Sequence, residues 1–204
     1  MRLLTRTMCS RSHKQLVKSM VGIATYACGV SSVVQTAVPD FSLLRTFRAP
    51  IQPEAWDQYQ DCFTAEIDRQ LTLAEYIYAF YTTVPFTLER MLIAALIGKS
   101  STILNAQALA AGQVRQFSAW VVLARTDTQV LLGDYRNQTR SWLAVQPLTA
   151  KQGTRLYFGS GIRAIADPAS GKPAMTWGFR ALGGFHVLYS RVLLSAAQRR
   201  LRAA

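Results

Sequence analysis

Histidine is almost missing from this sequence: His13 and His186 are the only two. Cysteine is hardly commoner, with Cys9, Cys28 and Cys62 set far apart. So few nitrogen and sulfur ligands exclude a zinc site, and an odd number of distant thiols makes no disulfide framework. Cys62 reads as a small buried apolar residue. Glycine-rich phosphate loops and dinucleotide fingerprints are absent as well. The run Gly159-Ser160-Gly161 falls within a strand pattern and lacks the spacing of a hydrolase nucleophile elbow. It reads as a bulge or bend. No cofactor is expected from any of these features.

Acidic residues are scarce too, with 11 against 23 basic ones, giving a net charge of +12. The imbalance belongs to the ends. Residues 1–39 hold Arg2, Arg6, Arg11, Lys14 and Lys18 and no acid, and residues 136–204 hold eleven basic residues against Asp167 alone. A basic surface suggests nucleic acid or an anionic membrane. The interleaved aromatic and basic residues of a nucleic-acid reader are missing, so no nucleic-acid partner is expected. Arg199, Arg200 and Arg202 close a helical pattern, where they either meet lipid headgroups or form a solvated helix end.

Residues 19–39 carry no charge at all. The stretch is long enough to span a bilayer but diluted by Thr25, Ser31, Ser32, Gln35 and Thr36. Basic residues before it and Asp40 after it fit a positive-inside orientation. Four readings stay open: a signal anchor, a cleaved signal peptide, a transit peptide, or a tail from an over-extended start at which Met20 is the true first residue. The first two place the domain at or beyond a membrane, and the last leaves it cytoplasmic. Residues 1–45 are therefore assigned to leader and connector, and residues 46–204 to one domain. Half the residues are hydrophobic, enough for a core in a chain of 204.

Residues 117–125, 129–135, 139–145 and 154–165 alternate as half-buried strands do. Their connections are short, which requires antiparallel neighbours and hence a meander. A three-residue connection at 136–138 puts Asp134 opposite Arg140 and Leu132 opposite Trp142. Val130, Leu132 and Asp134 then share a face with Arg140, Trp142 and Ala144.

Ahead of the meander, residues 61–68 form a first strand, with Tyr59, Asp61, Phe63, Ala65 and Ile67 on one side. Residues 71–81 turn helical, with Thr72 and Glu75 spaced as a capping box. Thr82-Thr83-Val84-Pro85 ends that helix, and Pro85 suits the first turn of another over 86–97. Residues 102–111 carry a weaker helical pattern. Residues 179–202 carry the longest, with an apolar stripe through Phe179, Leu182, Phe185, Tyr189 and Leu193.

This order predicts an α+β helix-grip fold: an antiparallel meander wrapped around a long C-terminal helix, with two short helices after the first strand. The chain from about residue 46 also resembles an uncharacterised bacterial family of the START-like, polyketide-cyclase-like superfamily. The resemblance is carried by Trp56-Asp57-Gln58-Tyr59-Gln60-Asp61-Cys62-Phe63, Ala119-Trp120, Asp134 with Thr139-Arg140-Ser141-Trp142-Leu143, Leu156-Tyr157-Phe158-Gly159-Ser160 and the closing run from Phe185-His186 to Leu188-Tyr189-Ser190-Arg191. These are structural signatures with no catalytic motif among them. The resemblance implies a cavity under the last helix and a ligand that is an apolar small molecule or lipid. It also implies a bacterial inner-membrane or periplasmic setting for an anchored or exported chain.

Trp120, Asp134, Arg140, Trp142, Tyr157, His186 and Tyr189 are the expected cavity residues. Binding without catalysis is the first expectation. A cyclase or dehydratase using His186, Asp134 and Arg140 is the second, and a membrane-associated interaction module with a filled core is the third. A lone histidine on an apolar stripe is more often a satisfied core residue than a catalyst.

Overall fold

Successive strand residues point to opposite faces, and here that alternation sorts the side chains between two separate apolar clusters. The computed structural model describes residues 33–47, 59–88, 102–135, 138–150, 152–162, 165–166, 173–174 and 177–204, with side chains of the last stretch from 186 onward. The strands are β1 (Val34–Thr36), β2 (Tyr59–Ile67), β3 (Gln116–Phe117), β4 (Trp120–Arg125), β5 (Gln129–Asp134), β6 (Thr139–Pro147) and β7 (Thr154–Ile162). They form one antiparallel sheet in the order β1-β2-β7-β6-β5-β4-β3. A separate two-residue pair joins β8 (Ile165–Ala166) to β9 (Pro173–Ala174). The helices are α1 (Leu43–Thr46), α2 (Leu73–Tyr81), α3 (Ile103–Ala110) and α4 (Trp177–Ala203). The meander, the two short helices and the long last helix make a helix-grip-like α+β fold.

Local chemistry accounts for the helix ends. Thr72 accepts a hydrogen bond from the Glu75 N–H, and the Glu75 carboxylate accepts one from the Thr72 N–H, so two orphan donors of α2 are satisfied. Thr102 and Asn105 repeat the device at α3. At the other end of α3 the Arg125 guanidinium donates to the carbonyls of Leu109 and Ala110 at 2.7 and 2.6 Å. It gives the last carbonyls of the helix a charged donor, and Leu109 accepts from the Gly112 N–H as well. Gly112 follows with φ 73°, a conformation that glycine adopts without strain. Residues 84–88 are helical, as Pro85 suggests, and the rest of the expected helix over 86–97 lies outside the described residues.

The sequence expectation for 117–125 needs correction. Phe117 and Trp120 pair across a two-residue turn, with Ser118 at φ 53°, so this stretch is a tight hairpin and not one strand. The turn lets Phe117 enter the core, where it is 1% exposed. The long fourth strand likewise stops at Ile162 and resumes as β8.

The register between β5 and β6 also differs from expectation by one residue. Gly133 pairs with Arg140, Leu132 with Ser141 and Leu131 with Trp142. Asp134 and Arg140 are therefore not partners. The Asp134 carboxylate instead accepts from the Gln138 N–H at 2.7 Å, which holds a longer connection closed. A slip of one residue moves every side chain of a strand to the other face. Val130, Leu132, Leu143 and Val145 thus face the helices, while Leu131, Trp142 and Ala144 face away from them.

That outer face is covered by residues 33–47, most of which the sequence pattern assigns to leader and connector. β1 pairs with β2 at the sheet edge, and α1 lays Leu44 onto the sheet, leaving it 1% exposed. Gln129 ties the strap down. Its Oε1 accepts from the Leu43 N–H and from Trp142 Nε1, each at 2.9 Å, and its Nε2 donates to the Phe41 carbonyl. Phe41 meets Trp142 and Tyr157 edge-on. Gly159 and Gly161 make room for this contact. A Cβ on Gly159 would stand 2.9 Å from the Trp142 ring and 3.2 Å from Leu44, and one on Gly161 would stand 3.1 Å from Leu44. The register of β7 runs unbroken through Gly159-Ser160-Gly161 against both neighbours, so the glycines serve close approach and make no bulge. Of the uncharged stretch 19–39, residues 19–32 lie outside the described residues and Val34–Thr36 is β1. Among the described residues no helix is long and apolar enough to cross a membrane.

Candidate functional site

The inner face of the sheet is closed by α2, α3 and the C-terminal half of α4, whose Leu193, Leu194, Ala197 and Leu201 are buried. Nearer the middle of α4 the packing leaves a cavity of about 290 Å³. Phe80, Tyr81, Phe86, Trp120, Phe158 and Leu193 supply its apolar wall. Ser160, His186, Ser190, Thr139, Ser141 and Tyr189 are the polar residues of its lining.

Behind Ser160 and His186 lies a buried carboxylate. Asp61 sits on the same face of β2 as Phe63, Ala65 and Ile67, and is 4% exposed. Burying a charge is costly unless it is paired and hydrogen-bonded. Asp61 meets that demand with four donor contacts. Oδ1 accepts from the Ser160 N–H at 3.1 Å and from the Ser160 hydroxyl at 2.5 Å. Oδ2 accepts from the Tyr59 hydroxyl at 3.0 Å and faces His186 Nε2 at 3.2 Å. Burial alone pushes this carboxyl up. The bonds from His186 and Ser160, the charge of His186 and the Tyr59 bond together outweigh burial, and they hold the pKa below its usual value. Tyr59 moves the other way, to about 12, through burial and then through the adjacent Asp61 charge and bond.

The same contacts assign a proton. His186 Nε2 lies 2.9 Å from Ser160 Oγ as well as beside Asp61. The Ser160 proton is committed to Asp61, and an ionised carboxylate only accepts. Nε2 therefore carries a hydrogen and donates to this pair. This is not the hydrolytic triad. There the carboxylate and the serine occupy different imidazole nitrogens, and the serine proton goes to histidine. Here both face one nitrogen and the serine proton goes to the carboxylate. Ser160 is accordingly a held hydroxyl with an acceptor lone pair to offer, and its contacts do not make it a nucleophile.

Of the seven residues expected from sequence, the structure brings Trp120, His186 and Tyr189 to the cavity wall. Trp120 Nε1 is buried there with no hydrogen-bond partner among the described residues, which leaves a donor for an oxygen to take. Arg140 borders the cavity through its strand, but its side chain runs to the outer face. There Nη1 approaches the Phe47 carbonyl at 3.5 Å and the guanidinium lies 5.2 Å from the Phe47 ring. Trp142 and Tyr157 belong to the outer cluster under the strap, and Asp134 closes its turn. The one-residue register slip is the physical reason for two of these four displacements, Arg140 and Trp142; Asp134 keeps the inward period of Val130 and Leu132, but its carboxylate turns to the Gln138 N–H.

Asp61, Ser160 and Tyr59 are not among the residues expected from sequence. A signal exists for Asp61, since an acid occupies the inward period of an otherwise apolar strand. Among the described residues no group of three His, Cys, Asp or Glu side chains is arranged to hold a metal ion. Comparison with protein-family models, with curated proteins and with solved structures gave no match.

Proposed function

We propose that this protein binds one small apolar molecule, without transforming it, in the cavity between the sheet and α4. The observation that carries the reading is an aromatic-walled space of about 290 Å³ beside the buried apolar core. Ser160 and His186 stand together on its wall, 2.9 Å apart, as polar groups that fix a ligand's orientation do. A volume of this size suits roughly 15 non-hydrogen atoms, short of a two-chain lipid. The START-like resemblance of the sequence points the same way.

A second reading has one observation in its favour. Asp61 orients His186 at the cavity wall, as a carboxylate orients a general acid or base. A cyclase or dehydratase would then rest on His186 with Asp61 positioning it, without help from Asp134 or the Arg140 guanidinium.

Titration with the neutral fluorophore N-phenyl-1-naphthylamine tests the binding reading. Saturable binding at one site is expected, with Kd on the order of 10 µM. Ser190→Phe, which projects a ring into the cavity, should weaken it at least tenfold while leaving the unfolding midpoint near that of the parent. Fluorescence that rises without saturation, or that Ser190→Phe leaves unchanged, would sink the proposal.

A further inference from the structure

Ser160, His186 and the carboxylate behind them also restrict the ligand's charge. We infer that the ligand is uncharged and carries a hydroxyl group set against Ser160 and His186, and that carboxylates, phosphates and ammonium groups are rejected. This rests on the binding reading above and makes it more specific.

The hydrogens of the cluster have assigned places. Ser160 Oγ gives its hydrogen to Asp61 Oδ1 and takes one from His186 Nε2. What Ser160 can still offer a ligand is a lone pair. A hydroxyl group can donate to that lone pair, and its own oxygen remains free to accept. A carboxylate or a phosphate dianion has no such hydrogen to give. It would set an acceptor against an acceptor, with the Asp61 carboxylate bonded to that same serine 2.5 Å behind.

Charge leads to the same result. Asp61 contributes one negative charge. His186 contributes at most one positive charge, and the hydrogen on its Nε2 is already engaged. The cluster is therefore neutral at best and negative otherwise. The other basic residue on the described wall, Arg140, sends its guanidinium to Phe47 on the far side of the sheet. An anion entering the cavity would lose its hydration and meet no net positive charge among the described wall residues. A neutral donor such as Trp120 Nε1 offsets only part of that desolvation.

An ammonium group fares no better. The carboxylate that would attract it is 4% exposed, and its oxygens are already occupied by Ser160, Tyr59 and His186. A cation would be buried near a negative charge it cannot touch. A neutral hydroxyl avoids both penalties and still satisfies a polar atom that an apolar ligand would leave unmatched.

Three naphthalene derivatives of nearly equal size separate the cases: 2-naphthol, 2-naphthoate and 2-naphthylmethylammonium. Isothermal titration at pH 7 on the full chain is the measurement. The expected result is naphthol binding at least about tenfold more tightly than either ion. Asp61→Asn should narrow the gap between naphthol and naphthoate, and Ser160→Ala should lower the affinity for naphthol while affecting the parent hydrocarbon little. The wild-type comparison decides between the outcomes even if a variant folds poorly. Either ion binding within tenfold of naphthol, or more tightly, overturns the inference and leaves the cavity reading standing. Failure of all three while N-phenyl-1-naphthylamine still binds does the same. Failure of all four removes both.

Discussion

Asp61→Ala should lower the stability of the folded protein by about 3–5 kcal/mol, the range for removing one partner of a buried, hydrogen-bonded charge. The loss has a definite origin. Alanine removes the acceptor that Asp61 gives the Ser160 N–H and the Ser160 and Tyr59 hydroxyls, and it leaves His186 Nε2 only Ser160 Oγ of its pair. Urea denaturation followed by far-ultraviolet circular dichroism would measure it. A loss below about 1 kcal/mol would mean that water replaces the carboxylate, and the picture of a closed cluster would be wrong. Acid should act through the same group. The folded pKa of Asp61 lies below its usual 3.8, so its contribution is fully present above that value. It disappears as pH falls through the folded pKa. The acid limb of the stability curve should therefore be shallower in Asp61→Asn than in the parent, and identical limbs would contradict the assignment.

Removing the strap should cost nearly as much. Leu44→Ala should destabilise by about 2–4 kcal/mol, because Gly159 and Gly161 shape a space that only the leucine fills. A chain starting at residue 48 should do worse, with Trp142, Leu131 and Tyr157 uncovered together. Trp142 is fully buried in the intact protein, so its emission should shift to the red in the shortened chain. Exposed aromatic surface of that extent also favours association, and size-exclusion chromatography should find oligomers. A monomeric shortened chain with unchanged emission and an unchanged unfolding midpoint would show that the strap is dispensable.

The parts of this fold that are legible from sequence are the local ones. Thr72 and Glu75 lie three positions apart, and their capping box is a property of that spacing. The meander follows from short connections, and α4 from an apolar stripe sustained over many turns. What escapes depends on distant or single-residue chemistry. One hydrogen bond, from the Gln138 N–H to Asp134, lengthens a turn and sends Trp142 and Arg140 to the opposite face. The strap carries no period of its own, and it is held by Gln129, 86 positions from Leu43. At the site, His186, Trp120 and Tyr189 are readable as inward residues. Asp61 is readable as misplaced polarity, but nothing local links it to Ser160 or His186.

The place of β2 in the sheet has a consequence for the order in which the protein assembles. Hairpins from β4 to β7 close over short loops, whereas Asp61 and Ser160 are 99 positions apart. Long loops close late because chain entropy is lost before contacts repay it. Docking of β2 against β7, and with it the burial of the carboxylate, should then follow the rate-limiting barrier. In a chevron plot the stability lost in Asp61→Ala should appear as faster unfolding, with the folding limb almost unmoved. A slower folding limb would instead place β2 in the nucleus. On the late-docking course the carboxylate that backs Ser160 and His186 behind the cavity wall is the last part of the site to be placed. That part is also the first to open, and its opening rate limits how long any molecule inside can be retained.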